Sequence, residues 1–283
     1  MLKIAKILLP VDFSALSCVA ARQAGGLARH FHSEVTVLHV TDFSALHPTV
    51  LKPEWLASHT AIKQQQMDAF GTAELEGVSV KKLVCCGDPA QVIIDHAHAE
   101  EACLILMPTR GAGAFRRFLL GSVTAKVLHD AECPVWTGTR LDHAATDPAE
   151  IRHVMCAVNF GLQSRKSIRW AAEFATEFGA KLTLFHAVLP TPPELPERYA
   201  FQWHEEAHWA ADERLRALAR ELQVDADVLI LNGDAPKMLA AAAKEKGAGL
   251  IVMSRTSASG TTGKLGSRAY GVICYAPCPV VSI

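Results

Sequence analysis

The sequence matches itself, and that repeat narrows the folds open to it. KILLPVDFS, from Lys6, returns as HVMCAVNFG, from His153, and VTVLHV, ending at Val40, returns as LTLFHA, ending at Ala187. The order then holds to the end. CCGDPAQVI (85–93) matches LNGDAPKML (231–239), LILMPTRG (104–111) matches LIVMSRTS (250–257), and GSVTAKVLHDAECPV (121–135) matches GSRAYGVICYAPCPV (266–280). A nearly constant offset across half a chain is the mark of duplication. The 283 residues also suffice for two domains of about 100–150 residues each. TGTRLDHAATDPAE (137–150), polar and without apolar periodicity, reads as the linker, which puts the domains at 1–140 and 151–283.

Each copy alternates short aliphatic and β-branched runs with longer helical patterns. In the first, strands are expected near 4–10, 34–40, 79–86, 103–107 and 134–137, and helices near 14–30, 53–75, 89–101 and 122–130. This alternation specifies an α/β fold, a parallel five-stranded sheet flanked by helices through right-handed crossovers. Such sheets bind ligands outside the carboxyl ends of the strands, where strand order reverses. The candidate loops are therefore PVDFS, after the first strand, and MPTRGAG, after the fourth.

With 50% hydrophobic and 20% charged residues, the chain has the side chains to fill two cores. A formal net charge of −1 argues against nucleic acid as a partner. No apolar run reaches the ~18 residues that span a bilayer, and the N-terminal apolar run is too short for a signal segment. The expectation is a cytoplasmic protein with no membrane partner. The eight cysteines, scattered through apolar segments, read as reduced core thiols, and Cys85 and Cys86, adjacent on a strand, point to opposite faces.

Familiar nucleotide motifs fail. No GxGxxG follows a first strand, and ASGTTGKLGS (258–267) lacks both the first glycine of a P-loop and the Ser or Thr after its lysine. What remains is a turn after strand four that leads, after a spacer, to Gly121-Ser122 at a helix start. Glycine lets backbone approach a phosphate, and Ser122 and Thr124 add hydroxyls beside unpaired helix amides. The competing reading is a plain turn and cap.

LLPVDFS, LHV, GDPAQVI, LILMPTRG and LLGSVTAKVLHDAECPV, in this order and spacing, resemble a universal stress protein domain, and the two copies resemble the tandem form of that family. The resemblance implies two Rossmann-like domains of the adenine nucleotide alpha hydrolase-like type. It also implies ATP as ligand, with or without Mg2+, and a regulatory role in the stress response. Nucleotide-binding members carry Gly, two residues, Gly, nine residues, then Gly-Ser or Gly-Thr. Gly111 and Gly121-Ser122 fit the last two elements, and Pro108 stands at the first. The resemblance further implies that Pro10, Val11 and Asp12 lie against the adenosine and that Val40 offers backbone to the base. Met107, Arg110, Val123 and Thr124 would complete the pocket. Proline removes one amide and fixes φ near −65°. Each net hydrogen bond to a charged group is worth roughly 1.5–3 kcal/mol, so losing one of several donors weakens binding without abolishing it.

The second copy departs further. Asn159 replaces Asp12, Ser254 and Ser257 stand where glycines are expected, and one residue fewer separates Ser257 from Gly266. A degenerate site is expected there, with Arg255, Lys264 and Ser267 as remaining phosphate donors. The resemblance also implies an internal pseudo-dimer through the last strands, CPVWTG and CPVVSI, and a homodimer beyond it.

Two other functions compete, a nucleotide-free interaction scaffold and a zinc hydrolase. The second rests on HEEAH (204–208), whose histidines share a helix face, with Glu205 as base; no third ligand is identifiable. His39 and His186 end equivalent strands and read as packed or hydrogen-bonded, not catalytic. Trp55, Trp203 and Trp209 suggest a contact surface. No paired carboxylates or Ser-His-Asp order is visible, so no enzyme is expected beyond slow ATP hydrolysis assisted by Asp12.

Overall fold

A computed structural model describes residues 2–44, 52–109, 120–138, 147–189, 197–255 and 266–283. The chain divides into two compact units, Lys3–Ala149 and Glu150–Ile283. Their backbone elements repeat one plan.

The first unit runs β1 (Lys6–Pro10), α1 (Ala15–Phe31), β2 (Glu34–Thr41), α2 (Pro53–Ala69), β3 (Ser79–Cys86), α3 (Pro89–Ala99), β4 (Leu104–Pro108), α4 (Ser122–Asp130) and β5 (Val135–Gly138). Its strands pair in the order β3-β2-β1-β4-β5, all parallel. Strand order therefore reverses between β1 and β4. Successive residues of β1 and of β4 are buried, as expected of strands covered by helices on both faces.

Small residues bring α1 close to its surroundings. A Cβ on Gly25 would lie 2.2 Å from the backbone oxygen of Glu74, so only glycine allows this approach. Trp136, fully buried on β5, donates its Nε1–H to Gln23 Oε1 of α1 at 3.1 Å, which satisfies both buried polar groups. α2 ends at Ala69, six residues short of the expected 75. Phe70 turns extended to pack its ring 5.9 Å from that of Phe13, and Gly71 takes φ +71°. Burial of Phe70 outweighs the helical pattern that continues past it.

The second unit runs β6 (His153–Ala157), α5 (Ser164–Glu177), β7 (Lys181–Val188), α6 (Glu197–Leu222), β8 (Asp227–Asn232), α7 (Ala235–Glu245), β9 (Leu250–Met253), α8 (Ser267–Tyr275) and β10 (Val280–Ser282). Its order, β10-β9-β6-β7-β8, is again parallel and reverses between β6 and β9. Local chemistry repeats as well. Asp88 caps α3 by accepting from Gln91 N, and Asp234 caps α7 by accepting from Lys237 N, each after a glycine with positive φ.

Candidate functional site

The turn after β1 is held by a device that the second unit repeats. Asp12 is exposed, and its Oδ1 accepts from Ser17 Oγ at 2.7 Å and from Ser14 N at 3.0 Å. Phe13 adopts φ +63°, a conformation that costs a non-glycine residue about 1–3 kcal/mol. Its ring packs 4.4 Å from His39, whose Nδ1 donates to the Val11 carbonyl at 2.8 Å, while Lys63 Nζ lies 5.5 Å from the ring of Phe13. In the second unit Phe160 has φ +58°, lies 4.5 Å from His186 and carries Arg214 at 4.3 Å; His186 Nδ1 donates to Val158 at 2.7 Å. Burial holds both imidazoles below the ordinary histidine value, against the backbone hydrogen bond that raises them. The two histidines tie the ends of adjacent strands together. The paired phenylalanines were missed in the sequence; their recurrence in DF and NF was the available signal.

At the other side of the reversal, Met107 and Pro108 end β4, and Pro108 lies opposite Gly138 of β5. Pairing of β4 with β1 reaches only Ile105, while Ile105 N donates toward β5. Alternation then turns the nitrogen of Pro108 toward the β1 side, beyond the last paired residue, so the proline costs the sheet no hydrogen bond. The Pro108 carbonyl accepts from Thr124 Oγ1 at 3.1 Å, and the Thr109 carbonyl accepts from Gly121 N at 2.8 Å. Two donors expected to face a ligand are thus used to close the ends of the 110–119 segment. The amides of Ser122, Val123 and Thr124 precede the first helical bond, from Ala125 N to Gly121 O, and have no acceptor among the described residues. Gly121 itself has φ −64° and ψ 147°, ordinary extended values.

Of the residues singled out in the sequence, Pro10, Val11, Asp12, Met107 and Gly121–Thr124 meet around the β1/β4 reversal. Val40 stands at the carboxyl end of β2, opposite Cys85. Arg110 and Gly111 lie outside the described residues, as do Ser257 and Lys264.

In the second unit the same location holds a cavity of about 280 Å³. Val158, Leu239, Met253 and Val272 form its apolar walls; Asn159, His186, Ser254, Arg255, Ser267 and Arg268 supply its polar atoms. No carboxylate lines it among the described residues. A Cβ on Gly266 would meet nothing within 4 Å.

The HEEAH segment lies on α6 with Glu205 and His208 exposed, and no group of three metal-ligating side chains occurs among the described residues. None of the eight cysteines forms a disulfide, but only Cys156 and Cys278 are buried, where desolvation pushes each thiol up to about 12. Among the described residues no helix is long and apolar enough to cross a membrane.

The fold and site define a tandem pair of Rossmann-like α/β domains, each with a helix N-terminus at its strand reversal. The chain belongs to the universal stress protein family, whose sequence profile matches residues 3–137 and again 150–283. It is 34% identical over 134 residues to universal stress protein MJ0531 of Methanocaldococcus jannaschii, covering 46% of this chain and 79% of that one. It is 30% identical over 141 residues to universal stress protein YxiE of Bacillus subtilis, covering 46% of this chain and 95% of the relative. The crystal structure of a universal stress protein from Archaeoglobus fulgidus superposes with a TM-score of 0.72 at 23% identity. It covers 99% of this chain and 96% of its own.

Proposed function

We propose that the first domain binds ATP or a related adenine nucleotide and that the chain acts as a stress-response regulator. The observation that carries this reading is the cluster of unbonded amides at Ser122, Val123 and Thr124, facing the β1/β4 reversal. Helix N-termini favour anions through these amides and the aligned peptide dipoles. Pro108 removes no donor that the sheet needs and seats the Thr124 hydroxyl instead. Pro10, Val11, Val40 and Met107 are the residues assigned to the adenosine, and Arg110 and Gly111 to the phosphates.

The exposed carboxylate of Asp12, already oriented by Ser17 and Ser14, fits the oxygen preference of Mg2+. A bound magnesium ion would neutralise phosphate charge. Asp12 would hold it, the amides of α4 would orient the phosphates, and no residue is assigned as a catalyst.

Titration of ATP into the wild type and into Gly121→Asp tests the assignment. The backbone angles of Gly121 suit any residue, and aspartate is a favoured N-cap, so the variant keeps α4 while occupying its amides with a carboxylate. Binding in the wild type and its loss in the variant are expected. No wild-type binding at millimolar ATP would return the chain to the nucleotide-free scaffold reading, for which the exposed Phe201 and Trp209 of α6 supply a surface.

A further inference from the structure

Two buried imidazole nitrogens of the first domain, Nε2 of His39 and Nε2 of His59, have no hydrogen-bond partner among the described residues. His39, on β2, is 7% exposed, and its Nδ1 donates to the Val11 carbonyl. In the neutral ring a proton at Nδ1 leaves Nε2 a bare acceptor. His59 lies on α2 in a stripe with Trp55 and Lys63, spaced four residues apart and so on one helix face. The contacts of that stripe are with the ends of β1 and β2. Trp55 stacks on His59 at 5.0 Å, and Phe43 meets the two rings edge-on at 5.7 and 5.4 Å. Lys63 Nζ lies 5.5 Å from the ring of Phe13, which in turn packs on His39.

The firm anchors of α2 lie at its other end. Of its described residues Met67, in the last turn, is alone in being buried, and Lys82 Nζ donates to the Asp68 carbonyl at 2.8 Å. At the N-terminal end Lys52 supplies no side-chain cap. The corresponding helix of the second domain, α6, buries Ala211, Leu215, Leu218 and Ala219. Among the described residues, the charged or titratable groups that act on His39 are Lys63 and His59 from α2 and Asp12 from the turn after β1; none from α1, β3 or α3 does. On β3 its neighbour is Val84. A proton on Nε2 turns the bare acceptor into a buried donor without an acceptor and sets a positive charge against Lys63. Asp12 is the one opposing charge, and its carboxylate is already engaged by Ser17 and Ser14. Burial above all, with Lys63 and His59, holds His39 below the ordinary histidine value against the Val11 hydrogen bond and Asp12, which raise it. With the stripe lifted away, Nε2 reaches water and Lys63 recedes. The released helix then binds the proton more readily than the docked one, so proton uptake favours release.

We propose that His39 is a proton-operated latch for α2: neutral, it lets the stripe of Trp55, His59 and Lys63 seat on the ends of β1 and β2, and protonated it releases that half of the helix. The latch stands on the packing of the first domain and does not rest on the nucleotide reading.

Hydrogen exchange of the full chain at pH 7.5 and 5.5, corrected for the intrinsic pH dependence of amide exchange, tests the latch. One titrating group with an ordinary value of 6.5 limits the effect to about tenfold over this interval. Protection across 54–66 should therefore fall several-fold at the lower pH, and protection of α6 should change far less. His39→Asn keeps a donor for the Val11 carbonyl and takes up no proton, so its α2 should be equally protected at both pH values. Lys63→Met keeps an apolar contact with Phe13 and removes the charge. Lys63 is only half-buried and methionine has similar helix propensity, so this variant folds, and its fall in protection should be smaller than in the wild type. Circular dichroism checks both variants, and His186→Asn should leave the fall as it is. Protection of α2 that ignores pH in the wild type, a fall that persists in His39→Asn, one that Lys63→Met leaves undiminished, or one that α6 shares equally overturns the latch.

Discussion

Thr124→Val isolates the contact that closes the first domain's loop. Thr124 is 3% exposed, and its Oγ1 donates to the Pro108 carbonyl at 3.1 Å. Valine copies the shape of threonine and cannot donate. Both are β-branched with similar helix propensity, so neither packing nor helix formation offsets the loss. The Pro108 carbonyl loses this donor inside a buried strand end, a change of about 1–3 kcal/mol. For a domain of this size each kcal/mol moves the melting temperature by about 4 °C. The effect should be local, so hydrogen exchange across 121–130 should accelerate together with a drop in urea midpoint. Of the two hydrogen bonds described at the ends of the 110–119 segment, the Gly121–Thr109 bond then remains, and affinity for ATP should fall several-fold. Thr124→Ser, which keeps the hydroxyl, should retain most of the protection. A valine variant with the wild-type midpoint and unchanged exchange at α4 refutes the assigned role of the contact.

Stability should fall as pH drops below the ordinary histidine value of 6.5, because the unfolded chain takes up protons that buried His39 and His186 resist. The depressed carboxylates Asp42, Asp88, Glu100 and Glu221 contribute stability above their ordinary values of 3.8–4.5 and lose it only as pH falls below them, outside this window. Urea midpoints at pH 7.5 and 5.5 measure the effect; replacing both histidines by asparagine, which keeps a donor for Val11 and Val158, should flatten it, and an unchanged slope sinks the explanation. Gly25→Ala sets about 1 kcal/mol of gained helix propensity against a Cβ placed 2.2 Å from backbone oxygen of Glu74. Overpacking of that kind costs about 1–3 kcal/mol, so the midpoint should drop, and a rise would show that the turn yields.

The architecture was legible because its signals are periodic and repeated. Buried runs such as LILMP, separated by helical patterns, admit few arrangements other than a parallel sheet. The end of α2 was not legible, because Phe70 leaves the helix to pack on Phe13, a partner 57 residues earlier in the sequence. The site was legible as a place and less so as chemistry. Gly121 and Thr124 looked like ligand donors, but their amide and hydroxyl satisfy carbonyls at the end of β4. Nor does a sequence show which donors a fold consumes internally. Pro108 looked like damage for the same reason, since the side of the strand that its nitrogen faces depends on register.

The two copies separate what the scaffold requires from what each site does. Phe13 and Phe160 keep positive φ, each with its ring against a histidine bonded to the first strand's end, a contact that a glycine could not make. That geometry survives duplication as a unit. The residues around the strand reversal diverge in both directions of charge: Asn159 replaces Asp12, Arg255 replaces Thr109 and Arg268 replaces Val123, while Thr256 replaces Arg110. Relaxed constraint predicts a different outcome, in which larger apolar side chains fill the space and unbonded amides acquire internal caps. In the second domain a Cβ on Gly266 would still meet open space, and two arginines border the cavity.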